Sequence, residues 1–277
     1  MNSIINRIAS RRVTFYSTLL IQSRKFSSNQ IKKKEPVPQT KSTLRRFWKH
    51  VSVQSNPDTQ TYEILLDKRP LKTPEGSKLA IPHSKKHLAL LIAGEWEAQN
   101  NVLKQHSLPL TSLVSIANVI DKEVNSKQEV ITRLLKYLDT DAICYQESYP
   151  DSLVELQQKH WLPILDWVQK TYNIEINITT GISGIRQPEN TRNKLKDIIE
   201  RFDSLKLSGF ERATMLSKSF LIGLALVERK LSVEEASKAS SIETISQTLR
   251  WGKLEAHDVE NEDIRRQLGS VACAVMF

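Results

Sequence analysis

Glycine is scarce in this chain, with eight in 277 residues. That leaves little of the flexible backbone from which phosphate-cradling loops are built. No GxSxG, no Walker loop and no GxGxxG occurs, so the common hydrolase and nucleotide-binding signatures are absent. The two cysteines, Cys144 and Cys273, stand far apart with no partner spacing. This excludes a disulfide scaffold and a cysteine-based zinc site. The longest apolar run, Phe220 to Val227, is eight residues, well short of the roughly 18 or more that a membrane span needs. Acidic residues are missing from the first 34 positions, which hold eight of the 40 Lys and Arg residues.

That local absence of acid explains the net charge of +9. Beyond residue 34 there remain 32 basic against 31 acidic residues. A nucleic-acid partner would require its basic excess on the folded surface, and this sequence does not provide one. Residues 1–28 are rich in Arg and Ser, with Ile4, Ile5, Ile8, Phe15, Leu19 and Leu20 interspersed. This composition is that of a mitochondrial transit peptide. Arg24-Lys25-Phe26-Ser27 suits cleavage after Phe26, although a disordered basic arm would have a similar composition. Residues 29–43 are polar with two prolines and read as a linker.

Residues 44–105 are expected to form a small β-rich domain. Phe47–Val53 and Tyr62–Leu66 read as strands separated by Asn56-Pro57-Asp58. Further turns fall at Asp67–Pro70 and Pro74–Gly76, giving an antiparallel meander. Pro82 is expected to open a helix whose buried stripe is Leu88, Leu91, Ile92 and Trp96. His83 and His87 have the i, i+4 spacing of helical metal ligands. The intervening residues are Ser84, Lys85 and Lys86, without the glutamate of HExxH, so no metal is assigned.

Residues 106–277 are expected to be mainly helical, an orthogonal bundle in an α+β protein. Helices are predicted over Pro109–Asp121, Lys127–Leu138, Asp151–Thr171, Pro188–Phe202 and Glu211–Arg229. Asp141–Gln146 and Ile174–Thr179 read as strands that could complete the sheet. Ser232 and Glu235 have the spacing of a capping box.

The stretch from Ser241 to Leu268 reads mostly as helix, with Gly252 its weak point. On a helical wheel Ile242, Ile245 and Leu249 make a core stripe. Glu243, Gln247, Trp251, Glu255 and Asp258 fall on the opposite arc. Glu255, His257 and Asp258 lie too close in sequence to converge on one ion unaided. By periodicity alone the acidic arc is an ordinary solvated face.

Six segments in order alter that reading. They are Arg46–Lys49, Leu66–Pro74, Glu95-Trp96 with Gln99, Tyr137–Asp141, Trp161–Pro163 with Trp167, and Arg250–Asp258. Together they resemble the mitochondrial assembly chaperones that hold the alpha subunit of F1-ATPase, over roughly residues 45 to 270. The stretch Ser107–Thr111 departs mildly from that family, which often has a methionine there. The resemblance implies a non-enzymatic chaperone of the mitochondrial matrix, without cofactor, catalytic residue or metal. It implies that the chain binds unassembled alpha subunit and prevents its aggregation until it pairs with beta. It further implies a client surface at Glu255, Asp258, Trp251, Glu243 and Gln247, and a free chain that is monomeric. A matrix enzyme of unrecognised type and an RNA- or ribosome-binding factor are the alternatives.

The basic leader generates a direct expectation. A chain beginning at Ser27 should fold as the full chain does and should not enter isolated mitochondria. Import at full-length efficiency would overturn the targeting assignment.

Overall fold

The computed structural model describes residues 45–277, apart from Val124, Ile182, Ser183, Lys253, Leu254 and Phe277; of Glu255, Ala256 and His257 it describes the backbone alone. The predicted transit peptide and the whole of the predicted linker therefore lie outside the described residues. The architecture is α+β, a small antiparallel sheet followed by a mostly helical region.

β1 (Val51–Asn56) and β2 (Thr61–Leu66) pair antiparallel, in register from Val51 opposite Leu66 to Asn56 opposite Thr61. The Asn56 side chain accepts the Asp58 N–H at 3.1 Å, a local bond that fixes the turn. Asp67, at positive φ, reverses the chain into β3 (Arg69–Pro70). Its carboxylate accepts the N–H groups of Lys49 and His50 at 3.0 and 2.9 Å, which holds it below the usual range. β4 (Ala80–Pro82) pairs with the same edge of β2 as β3 does. The alternation of β2 turns Ile64 and Leu66 inward, onto α1 (Lys86–Glu97).

Two expectations fail at this point. Pro82 ends β4, and a 3-10 turn over His83–Lys85 precedes α1. Leu91 is 41% exposed, and the buried arc of α1 is Leu88, Ala89, Ile92 and Trp96. The arc is rotated because α1 lies between the sheet and α2 (Pro109–Lys122), so the small Ala89 is buried instead.

α2 and α3 (Ser126–Leu138) match the expected helices. Asp141–Gln146 is not a strand. Asp141 bends the chain into a 3-10 turn over Ala142–Cys144 by accepting the Ile143 N–H. Residues 174–179 run extended and meet this region only in a single bridge, Tyr145 to Thr179, so neither segment joins the sheet.

The predicted helix over 151–171 is two: α4 (Asp151–His160) and α5 (Leu162–Tyr172). Pro163 supplies the cause, since it has no N–H for the carbonyl four residues back. α6 (Glu189–Glu200) matches its expectation. The predicted helix over 211–229 is also divided, into α7 (Ser204–Ser217) and α8 (Phe220–Val227). Lys218 adopts a left-handed φ of 56° between them, and Ser219 caps α8 by accepting the Ile222 N–H at 3.0 Å.

Every residue of α8 is buried. α7 packs so closely on it that a Cβ at Gly223 would sit 2.7 Å from Thr214 Oγ1 and 3.0 Å from its backbone nitrogen. The capping box of Ser232 and Glu235 is present at the start of α9 (Val233–Ser240). α10 (Ile242–Trp251) and α11 (Glu255–Met276) complete the chain. Leu268, Val271 and Ala274 of α11 are fully buried, against α7 among other neighbours.

Trp96 joins the sheet layer to the helices. Its indole lies 5.2 Å from that of Trp48, and its Nε1 donates to Thr111 Oγ1 at 3.0 Å. Trp96→Ala should therefore cost about 3–5 kcal/mol in denaturant unfolding. Stability equal to that of the natural chain would remove Trp96 from the core.

Candidate functional site

Most of the chemistry-bearing side chains that stood out in the sequence are occupied in holding the fold. Glu95 is largely buried and accepts the N–H groups of Leu110 and Thr111 at 2.7 and 2.9 Å, so it caps α2 from α1. Burial raises its pKa against the pull of those bonds. The Gln99 side chain donates to Ser107 Oγ and accepts the Lys104 N–H, which pins the next loop. Arg46 donates to the carbonyls of Glu97 and Gln99 and so caps the C-terminal end of α1. Asp139 pairs with Arg192. Trp161 Nε1 donates to the Ala239 carbonyl at 2.8 Å, fastening α9.

Asp141 is the extreme case. Wholly buried, it accepts hydrogen bonds from the N–H groups of Ile143 and Leu221, at 3.2 and 2.9 Å, and the Ser219 hydroxyl and Phe220 N–H also lower its pKa. Burial pushes its carboxyl up to about 6 despite them. Such a perturbed acid can mark an active site. Here its partners are the backbone ends of two turns and the hydroxyl of the Ser219 cap. Cys144 beside it is buried, and its thiol is pushed up by burial and by Asp141. It is therefore not an activated nucleophile. No group of three or more metal-ligating side chains occurs among the described residues. His83 is engaged by Ser55 Oγ at 3.0 Å and stacks on Tyr62.

The sixth segment differs from the other five. Gly252, at φ 91°, stops α10, and α11 starts afresh at Glu255. The arc drawn through Glu243, Gln247, Trp251, Glu255 and Asp258 therefore belongs to two helices and is not one continuous face. Glu243, Gln247 and Trp251 are exposed on α10, and Asp258 is exposed on α11. The side chain of Glu255 lies outside the described residues.

The predicted core stripe of α10 also needs correction. Ile242 is buried and Ile245 half-buried, but Leu249 is 69% exposed. The line that meets the core is Ile242 and Ser246, whose hydroxyl bonds Ser152 of α4 at 3.1 Å. Beyond Ser246 no residue of α10 is buried, so its last turn stands clear of the protein.

The outcome is an exposed corner. Trp251 at the end of α10 is 72% exposed and Tyr149, from the loop before α4, is 66% exposed, while Leu249, two positions before Trp251, points to another side of the helix. The Arg250 guanidinium is near both rings, 5.7 Å from the centre of that of Tyr149 and 5.3 Å from the centre of that of Trp251. Large apolar groups gathered on a surface in this way mark a contact with another macromolecule more often than a catalytic centre. A second feature is the groove of about 660 Å³ between α9 and α11, lined by Val233, Glu234, Val259, Glu262 and Arg265 among others. Arg265 is paired there with both Glu234 and Glu262, so the groove holds no uncompensated charge from that arginine.

Relatedness decides the family. The family described as ATP12 chaperone protein matches residues 45–169. A Schizosaccharomyces pombe protein named Protein atp12, mitochondrial, is 32% identical over 277 residues, covering 96% of this chain and 91% of that one. The chain belongs to the ATP12 chaperone family. The Saccharomyces cerevisiae Protein ATP12, mitochondrial, is 28% identical, with 98% of this chain and 96% of that one covered. Among solved structures, Atp12 from Paracoccus denitrificans superposes with a TM-score of 0.69 at 28% identity, covering 84% of this chain and 96% of that chain. The Atu1473 protein of Agrobacterium tumefaciens gives 0.73 at 28% identity, covering 84% and 85%.

The motifs of the sequence therefore led to the right family, one of mitochondrial chaperones and not of enzymes. Five of the six segments lie wholly within the matched residues 45–169. The sixth lies beyond them. Tyr149, Leu249 and Arg250 were not in the site drawn from sequence. Tyr149 is about a hundred residues from the others, and Leu249 carries an ordinary core periodicity.

The exposure of Leu249 separates the two accounts of α10. Leu249→Ala should change unfolding stability by about 0.5 kcal/mol or less. Ile242→Ala, one end of the real contact, should cost about 2–5 kcal/mol. Comparable losses in both variants would restore Leu249 to the core.

Proposed function

We propose that this chain is a chaperone for assembly of the F1 sector of the mitochondrial proton-transporting ATP synthase. It binds free alpha subunit in the matrix, covers the surface meant for beta, and is released as the ring forms. The observation that carries the proposal is the exposed corner on the last turn of α10, in a chain of a chaperone family. An isolated subunit of an obligate complex exposes a large apolar interface, and a partner that covers it prevents self-association. Such a partner needs no nucleotide or metal of its own. Glu243, Gln247, Trp251, Glu255 and Asp258 are proposed as client-contacting residues, with Glu255 and Asp258 supplied by α11. The free chaperone is proposed to be monomeric.

The test uses the chain beginning at Ser27 and purified alpha subunit. Equimolar chaperone should suppress light scattering by alpha and should be recovered in complex with it. Glu255→Lys should leave thermal unfolding nearly unchanged and weaken capture by about 2 kcal/mol or more. If alpha aggregates unhindered while RNA or ribosomal proteins bind from matrix extract, the reading is wrong. An unfolded Glu255→Lys variant would make Glu255 structural, and unchanged capture by a stable one would exclude it from the interface.

A further inference from the structure

We infer that Arg250, in contact with both Tyr149 and Trp251, is the anchor of the client-facing corner, and that it receives a carboxylate set in an apolar patch of the partner protein. The inference rests on the chaperone reading above and adds to it the chemistry that the client must present.

Several arginines of this protein carry an ion pair: Arg46 with Glu97, Arg133 with Glu211, Arg192 with Asp139, Arg265 with Glu234, and Arg266 with Asp263. Arg250 has no ion pair among the described residues. Within α10 the side chains three and four positions before it are Gln247 and Ser246, which offer no carboxylate. Its ring contacts among the described residues are with Tyr149 and Trp251, at 5.7 and 5.3 Å. A cation–π contact uses none of the five N–H donors of a guanidinium, which stay available to another group.

Tyr149 and Trp251 are each about two-thirds exposed or more, so the cation is flanked by two aromatic rings that solvent now covers. When a partner excludes that water, the local dielectric falls and an ion pair formed there strengthens. Trp, Tyr and Arg are also the residue types in which interface hot spots are enriched. The edge of an arginine fits a carboxylate with two parallel hydrogen bonds. The complement is then an Asp or Glu on the partner, flanked by aliphatic or aromatic side chains that meet Tyr149 and Trp251.

A bland account exists for part of this. Arg250 lies in the last turn of α10, where any cation interacts favourably with the helix dipole. That account serves a lysine equally well and does not require two rings. A phosphate of RNA would also suit the guanidinium edge. The exposed Glu243 on the same helix and the near-neutral balance beyond residue 34 favour a protein carboxylate.

The experiment measures capture of purified alpha subunit by the chain beginning at Ser27, with thermal unfolding of every variant. Arg250→Glu should weaken capture by about 100-fold, because it sets like charges against each other. Arg250→Lys should weaken it by about 10-fold, since the charge stays but the fork is lost. Trp251→Ala and Tyr149→Ala should each cost about 10-fold. Melting temperatures should remain at that of the natural chain, and Arg250→Gln serves in place of any Arg250 variant that unfolds. The natural chain should also bind more weakly as salt rises, with a shallower dependence in Arg250→Gln. Undiminished capture by Arg250→Glu or Arg250→Gln would overturn this inference and leave the chaperone reading standing. Equal capture by Arg250→Lys would reduce the residue to a helix-end charge. Failure of the natural chain to capture alpha would remove both, and RNA bound through Arg250 would replace the carboxylate with a phosphate.

Discussion

A helix with no solvent-facing side chain must have its ends satisfied from inside the protein, and α8 imposes that constraint here. All eight of its residues are buried, and its first N–H groups have no water to turn to. Asp141 and Ser219 meet the requirement, the former by accepting from Leu221 and the latter from Ile222. Burial pushes the Asp141 carboxyl up to about 6, while the donors around it pull the other way and favour its charged form. Its charge sits at the positive end of α8 and is surrounded by donors, which is the arrangement that makes such burial tolerable. One side chain thereby fixes the 3-10 turn at Ala142–Cys144 relative to the central helix, 80 residues on.

The rest of the helical layer is positioned by reference to α8. α7 reaches it closely because Gly223 has no side chain facing Thr214. α9 is held by Trp161, and α10 begins from Ile242, its only fully enclosed apolar residue among those described. The surface proposed for the client therefore starts where core contacts stop. α10 has enough apolar anchorage to fix its direction and none to cover its final turn. A rigid root with an uncovered tip suits a binding surface, since little ordering remains to be done on association.

The sequence conveyed the fold class and most element types because the signals were local. Asn56 through Asp58 formed the expected turn, and Ser232 with Glu235 formed the expected cap. Errors arose where a single residue interrupted a long periodic run. Pro163 and Lys218 each divided a predicted helix, and Gly252 divided the stretch that had been drawn as one face. Periodicity also overstated burial at Leu91 and Leu249, because a helix buries only the arc that its neighbours reach. Asp141 was part of a motif but read as strand, since nothing adjacent in sequence shows that it serves Leu221. Tyr149 was invisible for the same reason, as its relation to Arg250 exists only after folding. The family was legible because its motifs are mostly structural residues, whose spacing the fold itself enforces.

The position of α11 bears on how the protein comes to be folded. Its closing turns carry Leu268, Val271 and Ala274 into the core beside α7, and the Met276 carbonyl accepts from Arg229. The Ala274 carbonyl also accepts from Lys85, 189 positions earlier. α11 thus closes a core that was begun at the sheet. A polypeptide synthesised from its N-terminus cannot complete this core until α11 has emerged. Until then it remains open, with α7 lacking its partner and apolar surface uncovered. A chaperone of this construction must itself pass through an unprotected state before it can shield another chain.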